Sequence, residues 1–369
     1  MPLTQVPSGM LQTTAQYYGF KNRIINGAMM IDQRNSGASV AGNGVYTLDR
    51  WLAQASVYNK FNVQQNAGSV TPPAGYINYL GATSSSAYSI GSGDYFYIEQ
   101  SIEGLNIADL AWGTASASTV TLSFKIYSSL TGAFGGVLRN SAGNRSYPFT
   151  YTVASANTWT TISVTIAGDT SGTWLTTNGV GIRVTFGLGV GSTYSGTAGS
   201  WSGSSYISAT GATSVVGTNG ATFYITGVQL EVGSTATSFD YRDYGRELIL
   251  CQRYFYQTTF PDGAVAGRTS VNVSSLDGYI HAYIFSLPVT MRSTPSVTVS
   301  MSAGSLAILS QSGGTIYPCT NLSNGFGCYN NNVFIQFGLR SDWSNCSTGG
   351  GQFLFCNGGI STFKVSAEL

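Results

Sequence analysis

Between about residues 22 and 240, apolar and polar residues alternate with a period of two. Val120, Leu122, Phe124 and Ile126 alternate with Thr121, Ser123, Lys125 and Tyr127, and Ile162, Val164 and Ile166 alternate with Ser163 and Thr165. Ile182, Val184 and Phe186 repeat the pattern, as do Val228, Leu230 and Val232. Successive side chains of a strand point to opposite faces, so this is the pattern of half-buried strands. Clusters of Gly, Ser, Asn and Thr, as in 168–172 and 191–203, separate the segments. Many short strands with glycine-rich connections predict an antiparallel β-sandwich. No repeat stands at solenoid or propeller spacing.

Composition narrows the function. Charged residues are 8% of the 369, against about a quarter in typical soluble domains, and the formal net charge is +1. Such a chain carries no electrostatic footprint for nucleic acid or an anionic membrane. Its 43% hydrophobic and 13% aromatic content argues against disorder, and its length suggests two domains. No apolar run reaches the ~18–20 residues of a membrane span. Residues 184–230 and 293–339 hold no Asp, Glu, Lys or Arg, a surface solubilised by hydroxyls and amides. The beginning, MPLTQVPSGM, lacks the features of a signal peptide. A protein made in the cytoplasm and released by lysis, as virion parts are, reconciles the two observations.

Four segments follow. Residues 1–20, with two prolines and no periodicity, read as an extended arm. Residues 21–242 read as the sandwich. In 243–257, Tyr244, Leu248, Cys251 and Phe255 recur at helical spacing, predicting a short helix of about three turns that needs a partner. Alternation resumes in 279–285, 296–300, 333–337 and 352–355, so 258–369 reads as a second, smaller β-domain.

The search for catalytic groups gives little. The densest acidic stretch places Glu99 and Glu103 on one strand face opposite Phe96, Ile98 and Ile102. Four residues separate the two carboxylates by about 13 Å, too far for a glycosidase pair. No G-x-S-x-G elbow is present. The one histidine, His281, alternates with Tyr279, Tyr283 and Phe285 and reads as a packed or interface residue. Cys251, on the helical stripe, reads as a small buried hydrophobe. Gly187, Gly189 and Gly191 lack the rest of a nucleotide loop and read as a strand end. Cys319, Cys328, Cys346 and Cys356 show no zinc-knuckle spacing, and their three pairings stay open alongside free thiols. No metal, cofactor or catalytic residue is expected.

Binding remains. Aromatic faces stack on sugar rings while Asn, Ser and Thr hydrogen-bond their hydroxyls. Trp201 and Tyr206 sit among serines and glycines, and Tyr329, Asn330, Asn331, Asn332 and Trp343 form a second such group. These are the candidate glycan-binding residues.

The segment Asn22-Arg-Ile-Ile-Asn-Gly-Ala-Met-Met-Ile-Asp-Gln-Arg34 resembles the opening of bacteriophage and prophage tail-fibre or virion structural proteins. The resemblance continues in Asp49-Arg50-Trp51, Ile98–Gly104, Trp112–Ala115, Val120–Phe124, Phe223–Gly233 and Phe239–Tyr256. It extends to Leu287–Pro295 and the closing Ser366-Ala-Glu-Leu369. The first domain also resembles carbohydrate-binding jelly-roll modules through Asn26-Gly27 and Phe223–Glu231. Those modules often hold calcium through an acidic residue of the late strand; here Thr226-Gly227 stands in that place, and no calcium is expected.

The resemblance implies an all-β chain: a jelly-roll sandwich, a short helix and a smaller C-terminal β-domain at a distal tip. It implies a virion fibre-type protein, usually a homotrimer, docked to tail, baseplate or head proteins by residues 1–20 and attached to host-surface glycan. The stripe Tyr244, Leu248, Cys251 and Phe255 would suit a three-fold interface. Alternatives are a head or baseplate decoration without receptor contact, and a glycan depolymerase.

Overall fold

The computed structural model describes residues 20–260, then the stretches 265–269, 280–301, 306–310, 316–318, 326–329, 332–337, 352–356 and 361–369. Beyond residue 284, side chains are described for 285–298, 300 and 362–369. The chain divides into two units, residues 1–247 with Leu369, and residues 248–368.

The first unit is a jelly-roll sandwich of two six-stranded antiparallel sheets. The first sheet runs in the order β1 (Val40–Ala41), β4 (Phe61–Gln65), β5 (Leu80–Ser84), β14 (Thr222–Val232), β7 (Val120–Ser128), β10 (Thr160–Ile166). The second runs β2 (Val45–Tyr46), β3 (Leu52–Ala55), β6 (Tyr95–Glu103), β11 (Val180–Val190), β8 (Gly132–Arg139), β9 (Ser146–Val153). The alternation of the sequence becomes the two faces of each strand. Val120, Leu122, Phe124 and Ile126 of β7, with Phe96, Ile98 and Ile102 of β6, all lie in one hydrophobic core. Phe186 of β11 is its aromatic hub. Its ring lies 5.0 Å from Phe124 and 6.5 Å from Phe223 in the opposite sheet, and 6.4 Å from both Trp51 and Phe149.

Side-chain amides join the N-terminal segment to both sheets. On β14, Arg23 N donates to Leu230 O, Leu230 N donates to Asn22 Oδ1, and Asn22 Nδ2 donates to Val228 O. On β6, Ile25 N donates to Gln100 Oε1 (2.9 Å) and Gln100 Nε2 donates to Ile25 O (2.8 Å). Asn26, at φ +58°, accepts from Ile31 N and donates to the carbonyls of Ile31 and Asp49, while Trp51 Nε1 donates to Asn26 O. The asparagine tolerates this left-handed turn because its amide bonds locally. Gly27 has a steric reason instead: a Cβ there would lie 2.2 Å from Val228 O.

The string of Gly187, Gly189 and Gly191 closes β11, which ends at Val190 and carries a bulge between Gly187 and Gly189. Its bare backbone leaves room for β13 (Ser208–Ala209): a Cβ at Gly187 or Gly135 would lie 2.7 or 2.4 Å from Ser208 Oγ. The helix expected over 243–257 is α1, Tyr244–Gln252. Asp243 caps it, accepting from Arg246 N at its side chain. Phe255 instead opens β15 (Phe255–Phe260), which pairs residue for residue with β24 (Ser361–Ser366). Aromatic and β-branched residues favour a pleated sheet, and the ladder with β24 outweighs another helical turn. Phe255 therefore shares no helical face with Tyr244, Leu248 and Cys251.

In the second unit, β24 also pairs with β18 (Ser296–Met301). Cys251, Tyr254, Phe255, Leu287, Met291, Phe363, Val365 and Ala367 are buried there. Arg292 donates to the carbonyls of Ala367 and Glu368. A four-stranded sheet joins β16 (Val265–Thr269), β23 (Gln352–Cys356), β19 (Leu306–Ser310) and β20 (Ile316–Pro318). A three-stranded one joins β17 (Ile280–Ser286), β22 (Asn332–Phe337) and β21 (Phe326–Tyr329).

Two substitutions test this construction. Phe186→Ala is expected to lower stability by about 3–5 kcal/mol, read as a shifted urea midpoint. Gly27→Ala, which adds one carbon against a carbonyl, should cost about 1–3 kcal/mol in the same measurement.

Candidate functional site

The second sheet offers little open outer face over β11, β8 and β9. The isolated bridge from Ser146 to Ser202, and Ser208 seated over Gly135 and Gly187, lay the 195–209 segment across it. Beside it Glu99 is buried in an ionic cluster. Its carboxylate accepts from Arg139 Nη2 at 2.7 Å and Thr185 Oγ1 at 2.6 Å, with Arg183 Nε at 3.5 Å. Arg139 also lies over the Tyr97 ring. Burial acts to lower the Arg139 pKa, and Glu99 with Tyr97 outweighs it, so the pKa is raised. Burial, reinforced by Glu99, pushes the Tyr97 hydroxyl up to about 12. Glu99 points outward from the strand as its alternation requires, yet with its lone pairs engaged it is a structural anion. Arg139→Ala would leave that carboxylate buried beside a weakened partner set, at an expected cost of about 3–5 kcal/mol in chemical denaturation.

The first sheet is different. Over β14 its outer face is capped by two loops. Thr226 Oγ1 donates to Asn78 O, beneath the 66–79 loop. Gln229 accepts from Asp240 N, and Glu231 accepts from the backbone and hydroxyl of Thr237, beneath the 233–242 loop. Thr226, Gln229 and Glu231 are fully buried in consequence. Over β7 and β10 the face stays open. Cross-strand pairing sets Thr161 beside Lys125, Ser163 beside Ser123 and Thr165 beside Thr121. Thr161, Ser163 and Thr165 are exposed, and Ser123, Lys125 and Tyr127 half-buried.

Aromatic rings stand at one end of this open strip and along its β14 side. Trp159 and Tyr127 meet with ring centroids 5.5 Å apart, and Tyr127 stacks on Tyr224 at 5.5 Å and 6°. Tyr224 in turn stacks on Tyr79, and Trp159 Nε1 donates to Thr71 O, so the rings are fixed in place. On the β14 side Tyr76, Phe239 and Tyr241 pack together, with centroids 4.9–5.6 Å apart. Tyr241 is 58% exposed, and Ile77 beside Tyr76 is 70% exposed. Tyr76 reaches the sheet because Gly227, at φ +62°, sits in a bulge of β14; a Cβ there would lie 2.5 Å from the Tyr76 hydroxyl. Burial and the hydrogen bond with Tyr241 raise the Tyr76 pKa, so its hydroxyl stays neutral. Lys125 lies between the two groups, Nζ donating to Thr161 Oγ1 at 2.9 Å and standing 6.0 Å from the Tyr76 ring centre. Flat rings flanking neutral hydroxyls are a surface on which a sugar chain can stack and hydrogen-bond.

Neither Trp201 nor Tyr206 lies in this strip. Trp201 is half-buried in a cluster with Trp112, Trp174 and Tyr147, centroids 5.2–5.5 Å away, and its indole donates to Ala167 O. Arg145, paired in two hydrogen bonds with buried Asp169, lies 6.0 Å from the same ring. Tyr206 is half-buried against Gly196, and its backbone N donates to Ser146 Oγ. Trp201 and Tyr206 are thus held near one another, both close to Ser146, by packing contacts. Tyr329 and Asn332 lie on β21 and β22, their side chains outside the described residues, as are Asn330, Asn331 and Trp343. The same holds for residues 1–19, for Cys319 and Cys346, and for the side chains of His281, Cys328 and Cys356. Tyr244 is 57% exposed, whereas Cys251 and Phe255 are buried. The missed signal was the β10 alternation carried one residue back, which puts Trp159 on the face of Thr161 and Ser163. Among the described residues, no three His, Cys, Asp or Glu gather as a metal site, and no helix is long and apolar enough to cross a membrane.

No protein-family profile matches the chain, and no curated protein matches it. Solved structures similar to it include the enzymatically active domain of tailspike protein 4 of bacteriophage CBA120, at 11% identity and TM-score 0.31 over 57% of this chain. The match spans about a fifth (21%) of that tailspike chain. The carbohydrate-binding module TmCBM61, solved with β-1,4-galactotriose, is 10% identical with TM-score 0.30, over 58% of this chain and 99% of its own. The family 11 carbohydrate-binding module from Clostridium thermocellum, solved with a mixed-linked tetrasaccharide, is 11% identical with TM-score 0.28, over 54% and 98%.

Proposed function

We propose that the sandwich is a non-catalytic glycan-binding module, and that the open strip over β7 and β10 holds the glycan. One observation carries this reading: Trp159 and Tyr127 are fixed at one end of a row of exposed hydroxyls, and Tyr76 stands beside that row, over Gly227 of β14 and 6.0 Å from Lys125. A sugar ring stacks on an aromatic face without needing charge, which suits a chain this poor in charged residues.

We extend the reading to a virion fibre-type protein of a tailed phage, docked to the particle through residues 1–20 and attaching it to host-surface glycan as a homotrimer. The segments that resemble tail-fibre proteins support it. Weak sugar contacts repeated in several copies would give firm adhesion through avidity.

A glycan array probed with the full chain is expected to give sugar-dependent signal. Trp159→Ala and Tyr127→Ala should each weaken binding by roughly tenfold or more, the scale of one lost stacking contact. Trp201→Phe, in the tryptophan cluster, should leave binding unchanged. Attachment to particles with no array signal would favour a decoration role instead.

A further inference from the structure

We infer that the glycan is acidic, and that Lys125 selects it. This rests on the reading of the β7–β10 strip as the glycan site. Lys125 is half-buried in the middle of the strip, held by Thr161 Oγ1 and by the Tyr76 ring. It has no carboxylate partner among the described residues. The acids of the neighbouring loops are already engaged: Glu231 with Thr237 and Gln229, and Asp240 beside Arg242.

The cation is therefore uncompensated, and it is placed rather than free. Tyr127 lies two residues along β7 on the same face, about 7 Å away at strand spacing. A sugar ring stacked on Tyr127 or Trp159 would bring a substituent of that ring, or of the next, over Lys125 and Thr161. An ammonium beside a hydroxyl offers donors there, which match an anionic oxygen better than a neutral hydroxyl. An aromatic neighbour stabilises the cation without neutralising it. The ligand is thus a glycan bearing carboxylate or sulfate groups, with stacking supplying adhesion and Lys125 supplying the choice.

Affinity electrophoresis of the full chain through gels containing polygalacturonate, dextran sulfate, dextran or β-1,4-galactan tests this. Retention by at least one anionic polymer is expected to exceed that by the neutral ones by roughly tenfold at low salt, and to fall as salt rises. The carboxylated and sulfated gels tell the two anion sources apart. Lys125→Gln should collapse the anionic-to-neutral ratio, Lys125→Arg should preserve it, and Lys60→Gln, which removes the same charge elsewhere, should not change it. Retention by neutral polymers alone, or a ratio indifferent to Lys125→Gln in a variant with unaltered circular dichroism, overturns the acidic-glycan inference and leaves the glycan site standing. Retention by none of the four gels, with no signal on the glycan array, overturns both.

Discussion

Three side-chain amides hold the sandwich shut. Asn22 bonds the backbone of Val228 and Leu230 in β14, Gln100 of β6 trades two hydrogen bonds with the backbone of Ile25, and Asn26 closes a turn of the same segment. The segment from Asn22 to Ile31 thus completes the bonding of groups in both sheets that would otherwise be buried without partners. A lost partner at such a site costs more than the hydrogen bond itself contributes. Asn22–Arg34, Asp49–Trp51, Ile98–Gly104 and Phe223–Gly233 are the parts of this clasp, and their chemistry is devoted to closure of the fold.

The strands were legible in the sequence because their signal is local. Period two gave β7, β10, β11 and β14 with the correct faces, and it turned Glu99 away from the hydrophobic core. It could not show that Arg139 and Arg183 would bury Glu99 from the far side, since those partners come from other strands. The helix end failed for the same reason: the spacing of Tyr244, Leu248, Cys251 and Phe255 is local, whereas the ladder of β15 with β24 joins residues a hundred positions apart. Composition says less about how an aromatic residue is placed. Trp201 among serines and glycines has the make-up of an exposed loop, but three aromatic neighbours and Arg145 surround it. Whether an aromatic residue packs or protrudes depends on which loops cross the sheet, and the crossings of 66–79 and 233–242 leave no mark in their own sequence.

The few charges follow a consistent plan. Glu99 with Arg139 and Arg183, Asp169 with Arg145, and Arg242 with Glu247 are paired within the first unit. Paired charges in partly buried places fix geometry more than they add stability. The neutral exterior then falls to hydroxyls and amides.

The strip lies at the rim of its sheet, because β10 is the outermost strand of the order β1-β4-β5-β14-β7-β10. No further strand of that sheet stands beyond Thr161 and Ser163. A polymer laid across Lys125 can therefore leave the surface sideways without ending there. Grip on the middle of a long chain, and movement from one stretch of it to the next, are open to a site so placed; a pocket closed at its end would have to wait for chain termini.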